Sequence, residues 1–167
     1  VLYITLEMAE ERIAERIDAN LLDVTMEDLH DMPKQLYDGK IKKVREKTQG
    51  QLIIKEYPTA SAHSGHFKSL INELALKKSF RPDVIFIDYL NICASARFKG
   101  GNISSYFYIK AIAEELRGLA VEADVPIFSA TQTTRTGFVS TDLGLEDTSE
   151  SFGLPATADF MFALMSN

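Results

Sequence analysis

Apolar and polar positions change period along this chain in a repeating way. Val1-Leu2-Tyr3-Ile4-Thr5-Leu6 is almost continuously apolar and β-favouring. The apolar spacing then switches to four residues at Ile13, Ile17 and Leu21, with Glu10, Glu11, Arg12, Glu15 and Arg16 around them. The first pattern predicts a buried strand and the second an amphipathic helix over about Ala9–Asn20. Thr25 is placed to cap a short helix through Leu29, with Glu27 and Asp28 at the end where a helix favours acids. Pro33 marks the start of the next helix. That helix holds Leu36, Tyr37, Ile41 and Val44, carries Lys40, Lys42, Lys43, Arg45 and Lys47, and stops at Gln49-Gly50. The basic run reads as a solvated helix face.

Leu52–Tyr57 mixes apolar and polar residues and predicts a second strand near a sheet edge. After the polar turn Pro58–Gly65, a helix over His66–Ser79 presents Phe67, Leu70, Ile71 and Leu74 on one face. Pro82 leads into Val84-Ile85-Phe86-Ile87, which does not alternate. It therefore predicts a central strand buried on both faces, ending in Asp88. Ile92–Ser104 is a loop with Arg97, Lys99, Gly100 and Gly101. Ser104 or Ser105 caps a long helix striped by Ile109, Ile112, Ala113, Leu116, Ala120 and Ala123. Asp124–Ala130 is the next strand, running on to Thr131-Gln132. Thr133–Asp147 is polar and longer than a plain connector, a length typical of functional or disordered loops. A helical turn near Glu146–Phe152 and a last strand, Asp159–Leu164, complete the pattern. Strands alternating with helices predict an α/β fold, a mostly parallel sheet with right-handed crossovers and helices on both faces.

Composition adds boundaries. The 167 residues are 46% hydrophobic and 25% charged, ordinary for one globular domain with a substantial core. No run approaches the roughly 20 apolar residues of a membrane helix, so no membrane role is expected. The single cysteine, Cys93, excludes an internal disulfide and fits a reducing cytoplasm. A net charge of −6 argues against a basic nucleic-acid coat, while leaving room for a few local basic groups. Strand-like segments stand at both extremities, Val1–Leu6 and Phe160–Met165. They give the expectation of a domain truncated at both ends, with residues 1–167 forming part of it.

Three strands end in groups suited to nucleotide hydrolysis: Glu7, Asp88 and Gln132. Ligands of open parallel sheets bind beyond the carboxyl ends of the strands. An acid at such an end, like Asp88, is the physical content of a Walker B motif, holding Mg²⁺ on a nucleotide. Glu7 is placed to polarise an attacking water, and Gln132 to touch a γ-phosphate. Simpler readings exist for each. Glu7 complements the dipole of the helix after it, Asp88 caps a turn, and Gln132 is a loop residue. The triplet is more specific than any member. No Walker A loop is present, because the only Gly-Lys pair, Gly39-Lys40, is followed by Ile41 and lacks the preceding glycine. His63 and His66 have no evident third ligand for zinc, and no G-x-S-x-G elbow exists.

Leu6-Glu7-Met8, then Ile87-Asp88-Tyr89-Leu90, then Ser129-Ala130-Thr131-Gln132-Thr133-Thr134-Arg135 occur in an order that resembles DnaB-type replicative helicases, closest to those of T-even-type phages. Val1–Val24, Leu70–Lys78, Ala111–Val121 and Gly153–Phe160 extend the likeness over essentially the whole chain. The resemblance implies a RecA-like P-loop NTPase core in a hexameric ring that uses ATP and Mg²⁺ to move on single-stranded DNA. Primase and a helicase loader are further implied partners. By residue match, Glu7 resembles the catalytic base, Asp88 the Walker B acid and Gln132 the phosphate sensor. The loops after the second and third of these face the central channel in the family. Arg97, Lys99 and Arg135 are therefore the candidate DNA-backbone contacts. The chain departs from the family in lacking the Walker A loop, the amino-terminal collar domain and the arginine-finger segment. The expectation is an ATP-dependent helicase as the parent protein and no turnover by these 167 residues alone. The alternatives are a recombinase or clock-type ATPase, and a partner-binding domain without Walker A that catalyses nothing.

Overall fold

The computed structural model describes residues 1–98, 103–132 and 153–164. Four strands, β1 (Leu2–Thr5), β2 (Ile53–Glu56), β3 (Ile85–Asp88) and β4 (Ile127–Ser129), form one sheet in the order β2-β1-β3-β4. All three pairings are parallel. The helices are α1 (Glu10–Leu22), α2 (Met26–Asp31), α3 (Lys34–Lys47), α4 (Ser64–Lys78), α5 (Ser105–Ala123) and α6 (Gly153–Thr157), with a 3-10 turn at Leu90–Ile92. The edge position expected for the second strand is the one observed.

Alternation along the strands sorts side chains to two faces. Leu2, Ile4, Ile85 and Ile87 are buried with Phe67, Leu70 and Leu74 of α4 and Ile109, Ile112, Leu116 and Leu119 of α5. The helical stripes at three- and four-residue spacing supply the second layer of this core. On the opposite face, Tyr3 and Asp88 line a recess with Ile13, Arg16, Ile17, Asn20 and Leu21 of α1. Tyr37 of α3 donates to Asp18 of α1 at 2.6 Å, docking α3 onto the outside of that layer.

Local chemistry sets the helix starts. The Asp28 N–H donates to Thr25 Oγ1 at 3.0 Å and the Thr25 N–H to Asp28 Oδ2 at 3.4 Å, a reciprocal cap for α2. Helix α4 begins two residues earlier than the periodicity predicts. His63 acts as its cap: His63 Nδ1 accepts from the Gly65 N–H at 3.0 Å, and His66 Nδ1 accepts from the His63 N–H at 3.2 Å.

Two expectations are corrected. Strand β3 is buried on one face only: Ile85 is 0% and Ile87 2% exposed, against 36% for Phe86. Helix α1 packs toward the β2 edge of that face, leaving a recess at Tyr3, and Phe86 instead stacks between Tyr3 (centroids 6.1 Å) and Phe128 (5.3 Å), itself 45% exposed. The second correction concerns Asp159–Leu164. These residues form no strand, and Phe160, Phe162 and Leu164 are exposed. Apolar content alone does not make a strand; the backbone needs a ladder partner. Here Arg117 of α5 holds the segment by the helix, with its guanidinium 2.8 Å from Asp159 Oδ1 and 2.7 Å from the Thr157 carbonyl. The expected loop Thr133–Asp147 and the helical turn at Glu146–Phe152 lie outside the described residues.

Candidate functional site

Because β1, β3 and β4 are adjacent and parallel, their carboxyl ends share one rim of the sheet. Asp88, the last residue of β3, lies opposite Thr5 of β1, and Ile87 lies opposite Ser129 of β4. Glu7 follows β1, and Gln132 follows β4, on that same rim. Backbone bonds carry the pairing past the strand ends. The Leu6 N–H donates to the Asp88 carbonyl at 2.9 Å, and the Leu90 N–H to the Ala130 carbonyl at 3.3 Å. The structure thus brings together the three residues that the sequence singled out.

Glu7 is presented by a tight turn. Thr5 is fully buried, and its hydroxyl bonds both the carbonyl (2.8 Å) and the N–H (3.0 Å) of Met8. Thr59 Oγ1 donates to the Leu6 carbonyl at 2.6 Å. The turn leaves Glu7 exposed, with no hydrogen-bond or ion-pair partner among the described residues. The first turn of α1 has its own acids, Glu10 and Glu11, so the dipole-complementing reading does not need Glu7. Glu10 is committed elsewhere. It accepts from the Glu56 N–H at 2.9 Å and from Lys55 Nζ at 3.3 Å, and these bonds, the backbone one first, hold its carboxyl below the usual range.

Asp88 Oδ2 accepts from the Tyr3 hydroxyl at 3.0 Å. Burial, then the bond to Asp88 and its charge, push the Tyr3 phenol up to about 12, so it remains a neutral donor. Among the described residues nothing donates to the other carboxylate oxygen. Gln132 Nε2 donates to Tyr89 Oη at 3.1 Å, tying the third strand end to the residue after Asp88. Asn91 Oδ1 and Thr131 Oγ1, on the segments that follow β3 and β4, are buried without a hydrogen-bond partner among the described residues. The second Asp88 carboxylate oxygen, at the end of β3 and without a donor among the described residues, is a hard oxygen of the kind that a divalent cation or one of its waters would satisfy.

The loop after β3 is fastened by Glu115 of α5. Its carboxylate accepts from Ser95 Oγ (2.6 Å), the Ala96 N–H (2.8 Å), the Arg97 N–H (3.3 Å) and Ser64 Oγ of α4 (3.2 Å). Burial by itself raises the Glu115 pKa, but these donors outweigh it and hold the group below its ordinary 4.5. Glu115→Gln turns an acceptor-only group into one that presents its own donors, at an expected cost of about 1–3 kcal/mol. A folded-state pKa below the unfolded one contributes stability above the unfolded value and loses it as pH falls through the folded value. The gap between wild type and Glu115→Gln in urea midpoint should therefore be full at neutral pH and close below the ordinary carboxyl range. A gap that persists in acid would contradict this role.

Arg97 is exposed but paired: Nη1 lies 2.5 Å from Glu114 Oε2, with Lys110 Nζ 3.9 Å from the same carboxylate. Phe98, Ile103, Ser104 and Phe107 line the recess around this cluster. Lys99 and Arg135 lie outside the described residues. Sequence reasoning missed Tyr3, Glu114 and Glu115. Tyr3 reads as one more apolar strand residue. The two glutamates read as the solvated side of α5, and no local signal distinguishes them.

Comparison with known proteins identifies the family and the fold. The sequence model of the family described as "DnaB-like helicase C terminal domain" matches residues 1–162. The chain belongs to this family. It is 51% identical over 168 residues to the DnaB-like replicative helicase of Enterobacteria phage T4, covering 99% of this chain and 35% of that protein. A probable plasmid replicative DNA helicase of Chlamydia trachomatis is 34% identical over 137 residues, 80% of this chain and 28% of its own length. The DnaB-family chain thus spans about a third of the curated relatives it matches. Among solved structures, a DnaB-like replicative helicase, described with its primase interactions, superposes with a TM-score of 0.71 at 20% identity, covering 95% of this chain and 38% of that one. A second solved structure, described as an ATPase domain, gives 0.74 at 21%, over 95% and 57%. The chain thus shares the α/β fold of these two solved structures, a parallel sheet flanked by helices. Among the described residues of this DnaB-family domain, no helix is long and apolar enough to cross a membrane.

Proposed function

We propose that residues 1–167 are part of the ATPase domain of a replicative DNA helicase that couples ATP hydrolysis to movement along single-stranded DNA. The convergence of Glu7, Asp88 and Gln132 on adjacent parallel strand ends carries this reading. Glu7, exposed and unpaired among the described residues, acts as general base toward an attacking water. Asp88 would hold Mg²⁺, directly or through a water, by the carboxylate oxygen that has no donor among the described residues. A magnesium ion there supplies neutralisation of the nucleotide's phosphate charge. Gln132 contacts the terminal phosphate. Its bond to Tyr89 links that contact to the loop after β3. Arg97 on that loop, with Lys99 and Arg135, contacts the DNA backbone. Six copies in a hexameric ring multiply these few cations around one strand. Primase and a helicase loader are the proposed protein partners. The 167 residues alone turn over no ATP, since their sequence contains no phosphate-cradling G-x-x-x-x-G-K-[ST].

The test is unwinding of a forked DNA duplex by the full protein as encoded, with ATP and Mg²⁺. Strand separation that requires both supports the proposal. Strand exchange without unwinding, or no DNA-stimulated hydrolysis, overturns it. Arg97→Ala should weaken single-strand binding about equally for all sequences and lower the salt slope by about 1. An unchanged slope removes Arg97 from the contact set.

A further inference from the structure

We infer that Tyr3 is a positioning residue for the Asp88 carboxylate, holding one of its oxygens so that the other stays available to a divalent cation. The inference rests on the reading of Asp88 as the metal-binding acid and extends it to a residue outside the three strand-end groups.

The geometry comes from register. Tyr3 pairs with Phe86, and Thr5 pairs with Asp88. Tyr3 and Asp88 are therefore diagonal neighbours on one face of adjacent strands, a separation that a long aromatic side chain spans. The hydroxyl reaches Asp88 Oδ2 at 3.0 Å. The ring is steadied by stacking on Phe86 (6.1 Å, 20°), which stacks in turn on Phe128 (5.3 Å, 22°). This aromatic row crosses β1, β3 and β4 beneath the rim. A rigid donor to an ionised carboxylate makes a charge-assisted bond that also fixes the carboxylate plane. Asp88 receives no other donor among the described residues. Its orientation therefore depends on Tyr3 more than it would in a site with several supporting bonds. The packing role of the ring and the orienting role of the hydroxyl are separable, because phenylalanine keeps the first and lacks the second.

The experiment measures ADP binding by the full protein as encoded, across a Mg²⁺ titration and in EDTA. It compares wild type, Tyr3→Phe and Asp88→Asn. Removing a bond that orients a metal-binding group typically costs 10–100-fold in metal affinity. Tyr3→Phe should raise the half-saturating Mg²⁺ concentration by about tenfold. Its ADP affinity in EDTA and its melting temperature should match the wild type. Asp88→Asn should abolish the Mg²⁺-dependent gain in ADP affinity. A Tyr3→Phe protein with wild-type Mg²⁺ half-saturation overturns the inference while Asp88 keeps its role. Equal weakening with and without Mg²⁺ overturns it too, since that is the mark of a loosened fold. An Asp88→Asn protein that keeps the full Mg²⁺ gain overturns the metal reading itself.

Discussion

Glu7→Gln in the full protein is expected to lower ATP turnover by about 10²–10⁴-fold, the usual contribution of a positioned general base. The substitution keeps the size and shape of the side chain and removes only its ability to take a proton. Its surroundings make the experiment clean. The turn that presents Glu7 is held by Thr5 and Thr59, through bonds to the Met8 and Leu6 backbone, and none of them involves the Glu7 side chain. Nucleotide affinity and thermal stability should therefore be unchanged, with the loss confined to kcat. Steady-state hydrolysis alongside nucleotide binding separates the terms. A variant that retains more than about a tenth of wild-type turnover would assign the base elsewhere on the rim.

Phe67→Ala should destabilise the domain by about 3–5 kcal/mol, the range for truncating a fully buried phenylalanine. Phe67 is 0% exposed and sits in the layer where α4 meets Leu2, Ile4 and Ile85. Tyr57 packs edge-on against its ring at 5.7 Å. The penalty combines lost apolar burial with a cavity that neighbours anchored to the sheet only partly fill. The readout is the urea unfolding midpoint, compared with Leu76→Ala as a control. Leu76 belongs to the same helix but is 85% exposed, so its truncation should cost little. Similar midpoints for the two variants would refute the assignment of this face to the core.

Helix and strand identities were legible because each rests on a local rule. Four-residue spacing found α1, the buried apolar run found β1 and β3, and Thr25 found the start of α2. The three candidate site residues were legible for a related reason. An acid or amide that closes an apolar strand needs no knowledge of the neighbouring strands to be noticed. Asp159–Leu164 failed the same rule, since apolar content names a candidate strand but cannot name its partner. Phe86 failed it too, because a run without alternation does not say whether a second helical layer covers it. The capping of α4 by His63 escaped notice because histidine reads first as a ligand or a base.

By itself the sequence determined the alternation of strands and helices, the layer formed by Phe67 and its stripe, and the candidacy of Glu7, Asp88 and Gln132. Only the tertiary structure decided the order β2-β1-β3-β4, and with it the gathering of those three residues on one rim. It alone revealed that Tyr3 bonds Asp88 and that Glu115 fastens the loop carrying Arg97. Local patterns record what each residue prefers near its chain neighbours. Contacts between residues 20 or 85 positions apart arise from register and crossover, and no short-range periodicity encodes them.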